Sequence, residues 1–296
     1  MRHLLLAAAV LCLSLPALFI RFAAAPIEAI GFWRLALACA ALAPFAWRRR
    51  AAWTPAKARA TALAAACFFL HLWTFTWAVR HTTVANLMLA FSTHPLWTGV
   101  GAWLLFGERL GRRELGGLAL AGAGMLVLFG GSARLGGSGL AGDLSALVSA
   151  ITFSGWVLAG RGVRRGLDNV SFLLGAYGAT AAFFLLLGAA RGSPMTGYPP
   201  ATWAALAGLA FAVSLGGHGL FSYLLNEYGV LTLSCAKLVE PVLAALGAFW
   251  LFGEPLSPAS ARPSRSSPRA SSSSSSAEKP TSKRDGAVMG RRRLRR

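Results

Sequence analysis

Gly101-Ala102-Trp103-Leu104-Leu105-Phe106-Gly107-Glu108-Arg109-Leu110 recurs as Gly247-Ala248-Phe249-Trp250-Leu251-Phe252-Gly253-Glu254-Pro255-Leu256, with seven of ten positions identical at an offset of 146. The same offset pairs Pro95 with Pro241, Phe75 with Phe221 and His94 with Glu240. Apolar helices resemble one another by composition alone. A shared order of Pro, Gly-Ala and Leu-Phe-Gly-Glu does not arise that way, so the chain reads as an internal duplication. Gly107-Glu108 and Gly253-Glu254 themselves read as helix ends, with glycine as the terminating residue.

Around these repeats lie nine apolar segments, at roughly 4–20, 27–47, 61–79, 83–106, 115–131, 143–160, 170–190, 202–225 and 230–252. Each meets or approaches the ~20 helical residues that cross a ~30 Å hydrocarbon core. Of the 296 residues 55% are hydrophobic and 13% charged, about half the charged share of a soluble domain. The chain is therefore an all-α integral membrane protein; a soluble enzyme, a disulfide-stapled secreted domain and a coiled coil are excluded. The first segment follows Arg2 as a signal peptide would, but Ala23-Ala24-Ala25 leads straight into another apolar run. It reads as the first transmembrane helix. Cys12, Cys39, Cys67 and Cys235 all lie inside apolar segments without metal-ligand spacing, and read as small packing residues.

The net charge of +19 divides into +9 from residues 261–296 and +10 from the rest. In the body the basic residues form short clusters between apolar segments, which orients a membrane protein rather than binding nucleic acid. Arg2, Arg48–Arg50, Lys57, Arg59, Arg109, Arg112, Arg113, Arg161, Arg164 and Arg165 place 12 on one side, against Arg21, Arg80, Arg134 and Arg191, which place 4 on the other. The richer side is cytoplasmic, so the amino terminus lies inside. Each repeat unit holds about five spans, and an odd number forces the halves to insert with opposite orientation. Inverted repeats of this kind are a transporter architecture, with the substrate site near the midplane.

Over residues 1–257 the chain resembles an EamA-type permease of the drug/metabolite transporter superfamily. The resemblance is carried by Phe32-Trp33-Arg34-Leu35, Pro95-Leu96-Trp97, Leu105–Leu110, Gly217-His218-Gly219, Glu240-Pro241 and Leu251–Pro255. It implies ten helices in two five-helix halves, residues 1–131 and 142–257, in a bacterial inner membrane. It also implies export of small metabolites, often amino acids, without ATP. No phosphate-binding Gly-x-x-x-x-Gly-Lys is present, in keeping with a secondary carrier. The expected partners are a small-molecule substrate and the bilayer, with homodimerisation left open; neither a cofactor nor a metal is expected.

The tail departs from that pattern. Where the resemblance implies a tenth helix, Ala261-Arg262-Pro263-Ser264-Arg265 and the following residues run into six serines, Ser271–Ser276. Such a stretch cannot bury apolar surface and reads as disordered over 258–296. After nine spans its 11 basic residues would also have to cross the membrane, against the positive-inside rule. Shifting the reading frame back one base turns serine TCN codons into Phe, Leu, Ile or Val codons. Residues 262–276 would then supply the missing span, so the tail reads as a frameshift product, with an authentic basic linker as the alternative.

Ionisable groups at bilayer depth are costly and mark functional sites. Arg34, two turns into the second segment, suits a substrate carboxylate, and equally snorkelling or pairing with Glu28. His71 and His218, almost one repeat apart, titrate near neutral pH and suit proton coupling, or alternatively structural hydrogen bonds. Lys237 and Glu240, three residues apart, share a helix face, beside a helix break at Pro241 that matches the one at Pro95. His94 occupies the position equivalent to Glu240, and Asn86 and Thr93 are candidates to line the cavity. The function expected is a secondary exporter, proton-coupled or facilitative. The alternatives are an inactive truncated carrier, a polybasic adaptor resting on the tail, and a membrane-embedded enzyme. The last lacks His-Glu-x-x-His, Gly-x-Ser-x-Gly or an Asp pair within a span.

Overall fold

The computed structural model describes residues 2–49, 53–107, 139–164, 166–225, 227–228 and 236–253, together with Gly111, Gly116, Gly117, Ala119, Ala123 and Leu233. These are helical or short connections, with no strand among the described residues. Helix α1 spans Arg2–Leu13, α2 Pro16–Phe22, α3 Ile27–Trp47, α4 Pro55–His81, α5 Val84–Phe91 and α6 His94–Phe106. Helices α7 Leu140–Arg164, α8 Asn169–Arg191 and α9 Pro200–Gly208 follow. A π-helical segment over Leu209–Gly219 leads into α10, Leu220–Leu224, and a single 3₁₀ turn, Lys237–Val239, opens α11, Glu240–Phe252. The expected span 115–131, apart from Gly116, Gly117, Ala119 and Ala123, lies outside the described residues, as do Cys235, Glu108, Glu254 and the tail 258–296.

Among the described residues, six stretches are long and apolar enough to cross a membrane: Arg2–Phe22, Ile27–Trp47, Pro55–His81, Leu140–Val163, Asn169–Arg191 and Pro200–Leu224. Three expected single spans are not regular helices. The first breaks at Ser14-Leu15, the fourth at Ser92-Thr93, and the eighth widens into the π segment. A broken helix in a membrane must re-satisfy its freed carbonyls internally. Here the hydroxyls of Ser14, Ser92 and Thr93 donate to the carbonyls of Val10 (2.9 Å), Leu89 (2.7 Å) and Ala90 (2.8 Å). The restarts are set by proline, whose missing N–H costs nothing in the first turn: Pro16, Pro95 and Pro241 all stand there. Helices α6 and α11 each run 13 residues and each ends on a left-handed glycine, Gly107 at φ 67° and Gly253 at φ 65°. The duplicated sequence thus makes duplicated helices, and glycine ends them because a Cβ would be strained at that φ.

The longest helices pack in pairs, α4 on α7 and α3 on α8. Helices α3 and α8 are antiparallel, since Glu28 meets Arg191 (3.3 Å) at one end and Arg49 meets Asp168 (3.4 Å) at the other. The remaining ties sort the same way. Arg2 pairs with Glu227 (3.1 Å) and Lys57 reaches the Gly166 carbonyl at the Arg49–Asp168 end. At the Glu28–Arg191 end, Arg21 donates to the Thr82 carbonyl (3.1 Å), the Thr82 hydroxyl to Asp143 (2.6 Å) and the Ala24 amide to Thr202 (3.2 Å). Between the ends lies a core of Phe68, Phe153, Trp156, Phe172, Tyr177 and Phe184, all fully buried. Large apolar side chains such as Leu105, Leu186 and Trp250 face outward, the pattern of a lipid-facing surface.

Candidate functional site

Among the described residues, the four breaks within apolar segments all border one cavity. The α1–α2 break contributes Leu13 and Pro16; α5 contributes Met88 and Phe91, just before its own break. His218 comes from the π segment, and Lys237 and Glu240 from the 3₁₀ turn and the start of α11. The regular helices α3 and α4 supply Arg34 and His71, with Leu72 and Phe75. Breaks cluster where a membrane protein can pair the loosened backbone or line a cavity with it, and π segments concentrate at functional sites.

Lys237 Nζ lies 3.2 Å from Glu240 Oε1, both side chains at most 2% exposed, though off the direction of a good hydrogen bond. The same ammonium faces the rings of Phe153 (4.3 Å to the centroid), Phe221 (5.1 Å) and Phe91 (5.5 Å). A carboxylate and three aromatic faces therefore neutralise and solvate it in place of water. Arg34, 2% exposed, donates through Nε to Ser214 Oγ at 2.9 Å, while its Nη2 has no hydrogen-bond partner. Tyr177 donates to the Ser214 carbonyl at 2.8 Å and so anchors the π segment against α8. The rings of His71 and His218 are 6.0 Å apart, both packed against Phe68 and Phe153. His71 Nδ1 lies 2.8 Å from Ser149 Oγ and 3.2 Å from the Ser149 carbonyl; His218 Nδ1 has no partner.

Of the residues singled out from sequence, Arg34, His71, His218, Lys237 and Glu240 thus come together around the cavity. His94 does not line it: its ring stacks on Phe91 (5.3 Å) and meets Phe153 edge-on. Pro95 and Pro241 begin helices rather than kinking them. Asn86 and Thr93 are buried away from the cavity lining. Two readings of Arg34 are corrected. It does not snorkel, being buried, and Glu28 pairs with Arg191 instead. Sequence reasoning missed Ser149, Ser214, Tyr177 and the three-phenylalanine cage. A signal for Phe221 was present, because its repeat mate Phe75 also borders the cavity.

A protein family described as the EamA-like transporter family matches residues 1–130 and 140–261. The chain belongs to the EamA-like transporter family. It is accordingly a multi-pass membrane protein of a transporter family, as its apolar helices require. A relative from Pseudomonas aeruginosa, described as an uncharacterized protein, is 35% identical over 238 residues, covering 78% of this chain and 79% of its own length. A solved crystal structure is similar at a TM-score of 0.54 and 22% identity, over 85% of this chain and 98% of that one. That likeness concerns the fold alone.

Proposed function

We propose that this EamA protein is a secondary transporter exporting small metabolites across the bacterial inner membrane. The cavity is its substrate site. The observation that carries this is the convergence of four irregular backbone stretches on a cavity holding Arg34, His71, His218 and the Lys237–Glu240 pair. Buried ionisable groups at broken helices are the usual substrate and ion sites of secondary carriers. His71 and His218 are the candidates for proton coupling, imidazole being the side chain whose ordinary pKa lies nearest neutral. The twin helices α6 and α11 support two halves related by an inverted repeat, and the basic clusters support a cytoplasmic amino terminus.

Counterflow in proteoliposomes tests the reading. The purified chain, preloaded with members of a metabolite panel, should exchange at least one of them faster than empty vesicles do. An imposed pH gradient should drive net uptake if the histidines couple protons. Failure of the whole panel, with the protein folded and inserted, would refute the assignment. The inactive-carrier alternative is separated by restoring the reading frame after Ala261: a gain of exchange in the corrected chain alone would establish that the tail disables this one.

A further inference from the structure

We infer that the substrate group read by this site is a lone carboxylate on a largely apolar body, held by Arg34, and that a substrate ammonium finds no free counter-charge here. The inference rests on the cavity being the transport site and names the class of molecule it takes.

The charges around the cavity do not cancel. Lys237 and Glu240 neutralise each other at 3.2 Å, and the Lys237 ammonium is further enclosed by Phe91, Phe153 and Phe221. That leaves Arg34, an always-charged guanidinium, as the excess cation. Its Nε is engaged by a neutral hydroxyl and its Nη2 by nothing. Each other acid among the described residues is engaged elsewhere: Glu28 by Arg191, Asp143 by Thr82, Asp168 by Arg49 and Ser171, and Glu227 by Arg2.

A buried, half-satisfied guanidinium beside an open volume is stable only with an anion against it. A carboxylate oxygen on Nη2 would supply that charge in a strong, charge-assisted hydrogen bond. Apart from His71 and His218, the rest of the lining is apolar: Leu13, Pro16, Leu72, Phe75, Met88 and Phe91. These favour a hydrocarbon or aromatic body. Among the described residues the one carboxylate bordering the cavity, Glu240, is already committed to Lys237. An amino acid would have to strip Lys237 from its partner or bury its own ammonium without a counter-charge. Either cost sets zwitterions below simple acids.

Three probes share one ring and differ in charge: phenylacetate, its neutral amide phenylacetamide, and zwitterionic phenylalanine. Binding to the full chain in detergent is read by tryptophan fluorescence and thermal stabilisation, and movement by counterflow in proteoliposomes. Phenylacetate should bind about tenfold to a hundredfold more tightly than either other probe, the span of a hydrogen bond to a charged group. Arg34→Gln should erase the preference for acid over amide. Arg34→Lys should keep it at lower affinity, and serves with the wild-type comparison where the Gln variant does not fold. Phenylalanine binding as tightly as phenylacetate, no phenylacetate binding at all, or an unchanged preference in Arg34→Gln would each overturn the assignment. Phenylalanine exchange that depends on Arg34 would leave the transporter reading standing while removing the lone-carboxylate one. Failure of both the probes and the metabolite panel in counterflow would remove both.

Discussion

Replacing Glu240 by Gln should destabilise the protein by about 3 kcal/mol and stop transport, because it leaves a buried ammonium without its counter-charge. At a separation of 3.2 Å and an effective dielectric of ~20, the lost attraction is about 5 kcal/mol. Part of it is offset because the amide oxygen remains an acceptor and the side chains around it relax; the rings of Phe91, Phe153 and Phe221 face the ammonium in parent and variant alike and cancel from the difference. The net lands at the low end of the ~3–5 kcal/mol typical of breaking a buried pair. Removing both charges should behave differently. The double variant Lys237→Met, Glu240→Met should return to within about 1 kcal/mol of the parent, since apolar replacement of a buried pair is often neutral, yet it should still fail to transport. Unfolding in mixed micelles, titrated with SDS and followed by tryptophan fluorescence, gives the stabilities, and counterflow gives the activity. An unchanged midpoint for Glu240→Gln, or a double variant weaker than the single one, would refute the electrostatic reasoning. Full transport by Glu240→Gln would assign the pair to structure alone.

Three further outcomes follow from the same geometry. Gly142→Ala should cost about 1–3 kcal/mol in the same titration, because a Cβ there would stand 2.7 Å from the carbonyl carbon of His81, a backbone atom that cannot swing aside. At the start of α8, Asp168→Ala should cost about 1 kcal/mol as a lost helix cap. Partial burial pushes the Asp168 carboxyl up, but hydrogen bonds from Ser171 and Val170 and the Arg49 guanidinium outweigh it and hold it below the usual carboxylate range. Its stabilisation is therefore present above about pH 4 and lost as pH falls below that; a stability difference between parent and variant that persisted at lower pH would contradict it. Cysteines placed at exposed Pro55 and Thr196 should react with an impermeant reagent in intact cells at 196 and not at 55, and the reverse would invert the topology.

Local punctuation was the legible part of this fold. Pro95 and Pro241 announce where helices restart and Gly107 and Gly253 where they end, so α6 and α11 could be matched residue by residue. Lys237 and Glu240 could be paired because three residues along a helical turn bring side chains together whatever the tertiary fold. Arg34 was different: its near neighbour Glu28 suggested a partner, whereas its contact, Ser214, lies 180 residues along the chain. No local spacing encodes such a meeting. The breaks at Ser14-Leu15 and the π segment were equally hidden, because the apolar run continues through both and only the packed neighbours decide how the backbone is wound.

The lysine that occupies its own aromatic cage has an electrical consequence. A charge carried through a membrane potential involves work of about 2.3 kcal/mol for each 100 mV, but a bound pair of opposite sign carries none. Lys237 and Glu240, moving together, are blind to voltage, so the field acts at this site on the single net charge of Arg34. A bound carboxylate would cancel that as well. The loaded cavity would then cross the field as a neutral body and the empty one as a cation, which would make the return of the unloaded carrier the step that voltage speeds or slows.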